Sequence, residues 1–501
     1  MVGGLTLISR ILGFIRDVVI ANIFGAGVST DAFLVAFKIP NFMRRLFAEG
    51  AFSQAFTPVL SEYKTQRNHA EVKHLVDHVA GNLGSILFFI TVIGVMIAPL
   101  LVLIFAPGFF QYPEKYELTV TMLQIMFPYL LFMALTAFAG AVLNTYGRFA
   151  VPAFTPVFLN LCFIGAAIWF APNFEQPIMA LAYGVLFAGF VQLAFQIPFL
   201  YRLRLLPTPK FNRHDEGVKR IHHLMIPALF GVSVSQINLL VDTLMASFLV
   251  TGSVSWLYYS DRLMEFPVGV FGLALATVML PNLSKSVARG DTDKYNSVLD
   301  WALRWVFLIA VPSMVGLIIL AIPMLATLFH NGQFGDSDVI MTSRSLVTYA
   351  FGLLGFVLIK VLASGFFSRQ DTRTPVKIAV IAMATNMLLN LALILPMAHA
   401  GLALATSLAA LLNAWLLYRG LRKQAVFNPL PGWRNFLVRI IMASSCMALL
   451  LWWGSGDVSI WLTMGTIERA WHLFGWIIGG MLMYFVSLGI LGFRLHHISL
   501  K

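Results

Sequence analysis

The chain has 501 residues, of which 59% are hydrophobic and only 11% charged, whereas a soluble globular protein carries about 45–50% apolar and about 25% charged residues. So little charge cannot clothe a water-facing surface of this size, which excludes a soluble enzyme or a disordered protein and leaves a polytopic helical membrane protein. The formal net charge of +12 would suggest nucleic acid as a partner of a soluble chain, but here the cations are scattered through short loops and no nucleic-acid partner is expected.

A membrane-spanning helix needs about 20 predominantly apolar residues. Fourteen segments meet that scale: 2–24, 31–52, 79–105, 119–145, 151–171, 178–201, 222–249, 255–281, 302–328, 340–366, 377–398, 401–419, 436–454 and 470–492. The first already carries charge. At 1.5 Å of rise per residue, Arg10 lies about 14 Å into a core about 30 Å thick. Asp17, seven residues on, returns to the face of Arg10, while Arg16 points elsewhere. Span two repeats the spacing with Asp31, Lys38 and Arg45. Ahead of span three, His74 and His78 sit four residues apart with no accompanying ligands, and read as a solvated helix face.

Span seven holds Asp242 in an otherwise apolar stretch, and span eight carries Asp261, Arg262 and Glu265. Arg304, Arg344 and Arg439 lie near span ends, where snorkelling explains them; Lys360 lies deeper in span ten. Asn386 and Asn390 share a face of span eleven, and Thr406 adds a hydroxyl on span twelve. One carboxylate among neutral oxygens suits a hard, singly charged cation, so Asp242, Asn386, Asn390 and Thr406 are the candidate sodium site. No other cofactor is expected.

Charge bias sets the orientation. With the N-terminus cytoplasmic, the inner segments carry twenty-two Lys and Arg, and the outer loops only Lys115 and Arg469. Both termini are therefore expected inside. A short repeat, Ala55–Ser61 against Val278–Ser284, divides the chain into pseudo-symmetric six-helix lobes at 1–202 and 222–420. A basic linker, 203–221, joins them, and 421–501 appends spans thirteen and fourteen. Such repeats are typical of transporters.

A charge at mid-bilayer costs about 2.5–3.5 kcal/mol even on a lenient scale. The cations Arg10, Arg16, Lys38, Arg44, Arg45 and Arg262 must then line a protein-enclosed, hydrated cavity. They outnumber the nearby acids, which suits an anionic substrate, and a guanidinium fork fits phosphate oxygens bidentately. A network of ion pairs such as Arg10–Asp17 and Arg262–Glu265 is the structural alternative. There is no Walker loop, zinc motif or Ser/His/Asp arrangement, so no enzyme is expected.

Several runs are more specific than composition. Ser9–Asp17, then Thr30–Phe33 through Ala36–Asn41 to Arg44–Phe56, then Gly252–Trp256 with Asp261–Pro267, and Ser368–Asp371 with Thr374–Lys377 together resemble the MurJ (MviN) family of the MOP exporter superfamily. The resemblance implies a flippase that moves undecaprenyl-diphosphate-linked peptidoglycan precursor, lipid II, from the cytoplasmic to the periplasmic leaflet by alternating access. It implies a multi-pass protein of the cell inner membrane, with lipid II and membrane lipids as partners and a functional monomer. The family's functional positions fall on Arg10, Arg16, Asp31, Arg44, Arg45, Ser255 and Arg262, and spans thirteen and fourteen would hold the lipid tail. Some members hold sodium at positions matching the candidate site. The family also leads one to expect more than nine residues ahead of Arg10.

Arg10, Arg16, Lys38, Ser255 and Arg262 are accordingly expected on the substrate. Asp31, Asn41, Arg44, Arg45, Glu49 and Glu265 are expected to gate, with Asp31 near the outer mouth and Arg44, Arg45 and Glu49 near the cytoplasmic one. The alternatives are an exporter of another lipid-linked oligosaccharide or of drugs in the same superfamily, and a membrane enzyme such as a glycan polymerase or lipid phosphatase.

Overall fold

Where no water can satisfy the backbone, an apolar segment must close its own hydrogen bonds, and helices do so. The computed structural model, which describes residues 2–45, 52–212, 214–424 and 426–494, has twenty α-helices and no strand among those residues. In chain order they begin with α1 (Val2–Phe24), α2 (Val28–Arg44), α3 (Ser53–Gln66), α4 (His69–Met96), α5 (Ala98–Phe105), α6 (Pro113–Met126) and α7 (Tyr129–Thr145). There follow α8 (Ala150–Phe154), α9 (Pro156–Gly165), α10 (Met179–Arg202), α11 (Glu216–Ser247), α12 (Ser253–Pro267), α13 (Leu273–Ala288) and α14 (Thr292–Ile319). The last are α15 (Ala321–Leu328), α16 (Asp336–Phe367), α17 (Arg373–Lys423), α18 (Trp433–Ser455), α19 (Val458–Thr463) and α20 (Thr466–Ile490).

Among the described residues nine helical segments are long and apolar enough to cross a membrane. Helix α1 coincides with the first predicted span, but Arg10, Arg16 and Asp17 keep it out of the nine. Predicted spans eleven and twelve form the single long helix α17, broken where Ala398 takes φ 49° and ψ −129° just after Pro396. Gly401 completes that break: a Cβ there would stand 2.3 Å from the Leu393 carbonyl oxygen. The outward surface is apolar in the way lipid demands, with Leu395 90%, Ile490 80% and Trp453 78% exposed. The repeated Pro58 and Pro281 fall inside α3 and α13.

Contacts divide the chain into two compact units, Met1–Ser255 and Trp256–Lys501. In the first, the aromatic side chains of Phe52, Phe56 and Phe138 pack α3 against α7, with Leu75 and Val76 of α4 in the same core. Helix starts are fixed by side chains that accept otherwise orphaned backbone N–H groups: Asn68 for α4, Asp215 for α11 and Asp291 for α14. In the second unit, Asp300 anchors α18 to α14. Its carboxylate accepts from Arg304 Nε at 2.7 Å, Leu430 N at 2.9 Å and Trp433 Nε1 at 2.7 Å. Arg304 is therefore buried against Trp433 and Phe436 and does not snorkel. An acid one helical turn upstream made the difference.

Candidate substrate and gating residues

Asp31 lies in the first turn of α2 and is fully buried. Its Oδ2 accepts from Lys115 Nζ at 2.8 Å and from Gly252 N at 2.8 Å. Its Oδ1 accepts from Ser255 N at 2.9 Å and Ser255 Oγ at 2.6 Å. All four residues belong to the first unit. The backbone donors are those at the start of α12, where exposed N–H groups and the helix dipole favour an anion. Gly252 reaches that position through φ 98°, a conformation glycine adopts without strain. The Lys115 ammonium also sits 4.1 Å from the centre of the Phe109 ring. One carboxylate thus clasps α2, α6 and the head of α12.

Ser255, expected on the substrate, here commits both its N–H and its hydroxyl to Asp31. Lys115 was read as an outer-loop cation; it is 3% exposed. The available signal was its sign, since it is one of only two basic residues on that side in the predicted topology.

Arg16 is also held. Its Nε and Nη2 donate to Asp17 Oδ1 at 2.9 and 2.7 Å, and its Nη1 donates to Asn160 Oδ1 at 3.1 Å. Asn160 in turn donates to the Ser9 carbonyl at 3.0 Å, so α1 and α9 are clamped. This corrects the expected grouping: Asp17 joins Arg16, not Arg10, because the long Arg16 side chain bends round to its neighbour. Arg10 is exposed on α1.

Farther along α2, Lys38 Nζ donates to Thr243 Oγ1 of α11 at 2.6 Å. Arg44 Nε and Nη2 both donate to Asn41 Oδ1, at 3.0 and 2.7 Å, and Arg45 closes the helix. Glu49 lies outside the described residues. In the second unit Arg262 Nη1 donates to Glu265 Oε2 at 3.0 Å and packs over Tyr258. Of the cation set, Asp242 is half-buried on α11, whereas Asn386 and Asn390 are buried one turn apart on α17. The Thr406 hydroxyl donates to the Leu402 carbonyl.

The family model for lipid II flippase MurJ matches residues 20–471. The chain belongs to the MurJ lipid II flippase family. That family consists of transporters rather than enzymes.

The family's "Probable lipid II flippase MurJ" of Vibrio cholerae is 49% identical over 502 residues, covering 99% of this chain and 96% of that relative. The lipid II flippase MurJ of Burkholderia cenocepacia is 43% identical, covering 98% and 96%. A solved lipid II flippase MurJ in an inward closed conformation matches with a TM-score of 0.81 and 28% identity over 98% of both chains. An inward-facing multidrug transporter of the MATE family, in the MOP superfamily, shares the fold at a TM-score of 0.67 and 15% identity. The MurJ family members are multi-pass membrane proteins, in keeping with the nine apolar helical segments.

Proposed function

We propose that this chain flips lipid II from the cytoplasmic to the periplasmic leaflet of the inner membrane by alternating access. The observation that carries the reading is the end-to-end match to the flippase family, with 98–99% of the chain covered by relatives and by a solved member. Arg10, Arg16, Lys38, Ser255 and Arg262 bind the diphosphate and head group; Asp31, Asn41, Arg44, Arg45, Glu49 and Glu265 gate. In the conformer described, Ser255 is held by Asp31 and Arg16 by Asp17, so substrate binding exchanges these contacts for the anion. The topology is fourteen spans with both termini cytoplasmic, in lobes 1–202 and 222–420 joined by 203–221. Residues 421–501 serve the lipid tail, and the monomer is the working unit.

The test is leaflet accessibility of lipid II after rapid depletion of the protein. Accumulation on the cytoplasmic side supports the reading, and an unchanged distribution refutes it.

Sodium use, through Asp242, Asn386, Asn390 and Thr406, rests on their oxygen donors. Flipping in reconstituted vesicles should require sodium, and Asp242→Asn should shift or abolish the requirement. Equal rates in sodium and choline buffers, with the proton gradient clamped, would remove the ion.

A further inference from the structure

Two turns into α4, ahead of its apolar run, His74 and His78 lie at i and i+4, and their ring centroids stand 4.0 Å apart. Of the acids nearest in sequence, Glu71 pairs with Arg67, and Asp77 with Lys73 and Thr208, so neither is the third ligand of these two imidazoles. The fold brings one from 137 residues downstream.

The segment after α10 is strapped along α4. Asp77 accepts Lys210 N through its carbonyl at 3.1 Å, and Thr208 N and Oγ1 through its carboxylate at 2.8 Å each. Asn82 Nδ2 donates to the Asn212 carbonyl at 3.0 Å. Gly81 leaves room for the crossing, since a Cβ there would meet the Lys210 backbone oxygen at 2.3 Å. This strap delivers Asp215 to the two histidines. Asp215 Oδ1 caps α11 by accepting Val218 N at 3.1 Å. Its Oδ2 faces His74 Nδ1 at 3.6 Å.

The potential ligand atoms of His74, His78 and Asp215 all lie within 4.8 Å of one another. His78 is buried, and its Nδ1 stands 2.8 Å from the His74 carbonyl. With the proton placed on Nδ1 to make that bond, Nε2 presents the lone pair. A backbone carbonyl behind the ring is the usual way a metal-bound imidazole is oriented. Two imidazoles and a carboxylate are the donor set of a borderline divalent ion, zinc foremost, rather than calcium or magnesium. Bonds of about 2.1 Å in a tetrahedral shell set ligand atoms about 3.4 Å apart, so these must close up by as much as about 1.4 Å, which the exposed His74 side chain can supply.

The geometry points to a zinc-class divalent metal site formed by His74, His78 and Asp215. The bound ion ties the N-terminal end of α4 to the first turn of α11, completing with a coordinate bond what the contacts of residues 208–212 begin.

The experiment uses the full-length protein, purified without a histidine tag, titrated with Zn²⁺ against a chelating dye and with Co²⁺ by visible absorption. One Zn²⁺ per chain and a tetrahedral Co²⁺ spectrum are expected. His74→Gln and Asp215→Asn should each weaken binding at least about tenfold, since even changes behind the ligands register on that scale. Asn keeps the helix cap, so loss of binding in Asp215→Asn reports the carboxylate and not the fold. His69→Gln and His223→Gln, in neighbouring exposed histidines, should leave binding unchanged. Absence of saturable binding, or parent-like affinity in His74→Gln or Asp215→Asn, would overturn the assignment.

Discussion

Lys115→Met removes one of four donors from a carboxylate that is fully buried. Breaking a buried ion pair costs about 3–5 kcal/mol, because the remaining charge is left uncompensated. Here Asp31 keeps Gly252 N and both donors of Ser255, and the helix start still favours an anion. The cost should fall at the lower end, about 3 kcal/mol, or about two decades in the equilibrium for opening this clasp. Asp31→Asn should cost more, about 5 kcal/mol, because a buried ammonium is left facing a neutral amide whose NH₂ points at another donor. The double variant should cost less than the sum of the singles.

Ser253, next to the clasp and fully buried, provides the probe. A single cysteine placed there, after replacement of Cys162 and Cys446, should react with a membrane-impermeant maleimide about a hundred times faster in Lys115→Met than in the parent. Identical labelling rates in parent, singles and double would refute the reasoning that this carboxylate fixes the first turn of α12.

Four further outcomes are expected. Arg304→Met should lower thermal stability by about 3 kcal/mol, since Asp300 keeps only neutral donors; an unshifted melting curve in detergent would contradict that. Arg262→Lys should lose flipping nearly as fully as Arg262→Ala, because the fork is lost while the charge remains, and a fully active, folded Lys variant would end the bidentate argument. Ala398→Gly should raise stability by about 1 kcal/mol by relieving a non-glycine residue at φ 49°, as read from the thermal midpoint. In the loop between α16 and α17, hydrogen bonds from the Thr374 hydroxyl and N–H hold the Asp371 carboxyl below its usual range. Its contribution is therefore present above the unfolded value of about 3.9 and lost as pH falls through the lower folded value. Thr374→Val should flatten the acid limb of the stability–pH curve, and an unaltered limb would show the bond to be inconsequential.

Local patterns carried the helices well. The predicted span 2–24 coincides with α1, 178–201 differs from α10 by one residue at each end, and the gap at 399–400 falls at the Ala398 break. Apolar runs and Pro/Gly punctuation are properties of neighbouring residues, so sequence suffices. Pairing is not such a property. Lys115 meets Asp31 across 84 residues, and Ser255 meets it across 224, and no local spacing encodes either. The helical wheel also misled for Asp17, because it treats side chains as directions and ignores the reach of a flexible arginine. Asp300 beside Arg304, at i and i+4, is a buried pair that spacing could have revealed.

The two basic residues on the sparsely charged side have a consequence for biogenesis. In the proposed topology, Lys115 and Arg469 are the loop cations that must be carried across the bilayer during insertion. Both end buried, and both find acceptors made earlier in synthesis: Asp31 for Lys115, and the Ala326 carbonyl and His330 ring for Arg469. Each cation therefore emerges from the ribosome after its acceptor already exists, and can be neutralised or solvated by protein as soon as it arrives. Reversing that order, as in a circular permutant that begins at residue 113, would send Lys115 across before its carboxylate had been made.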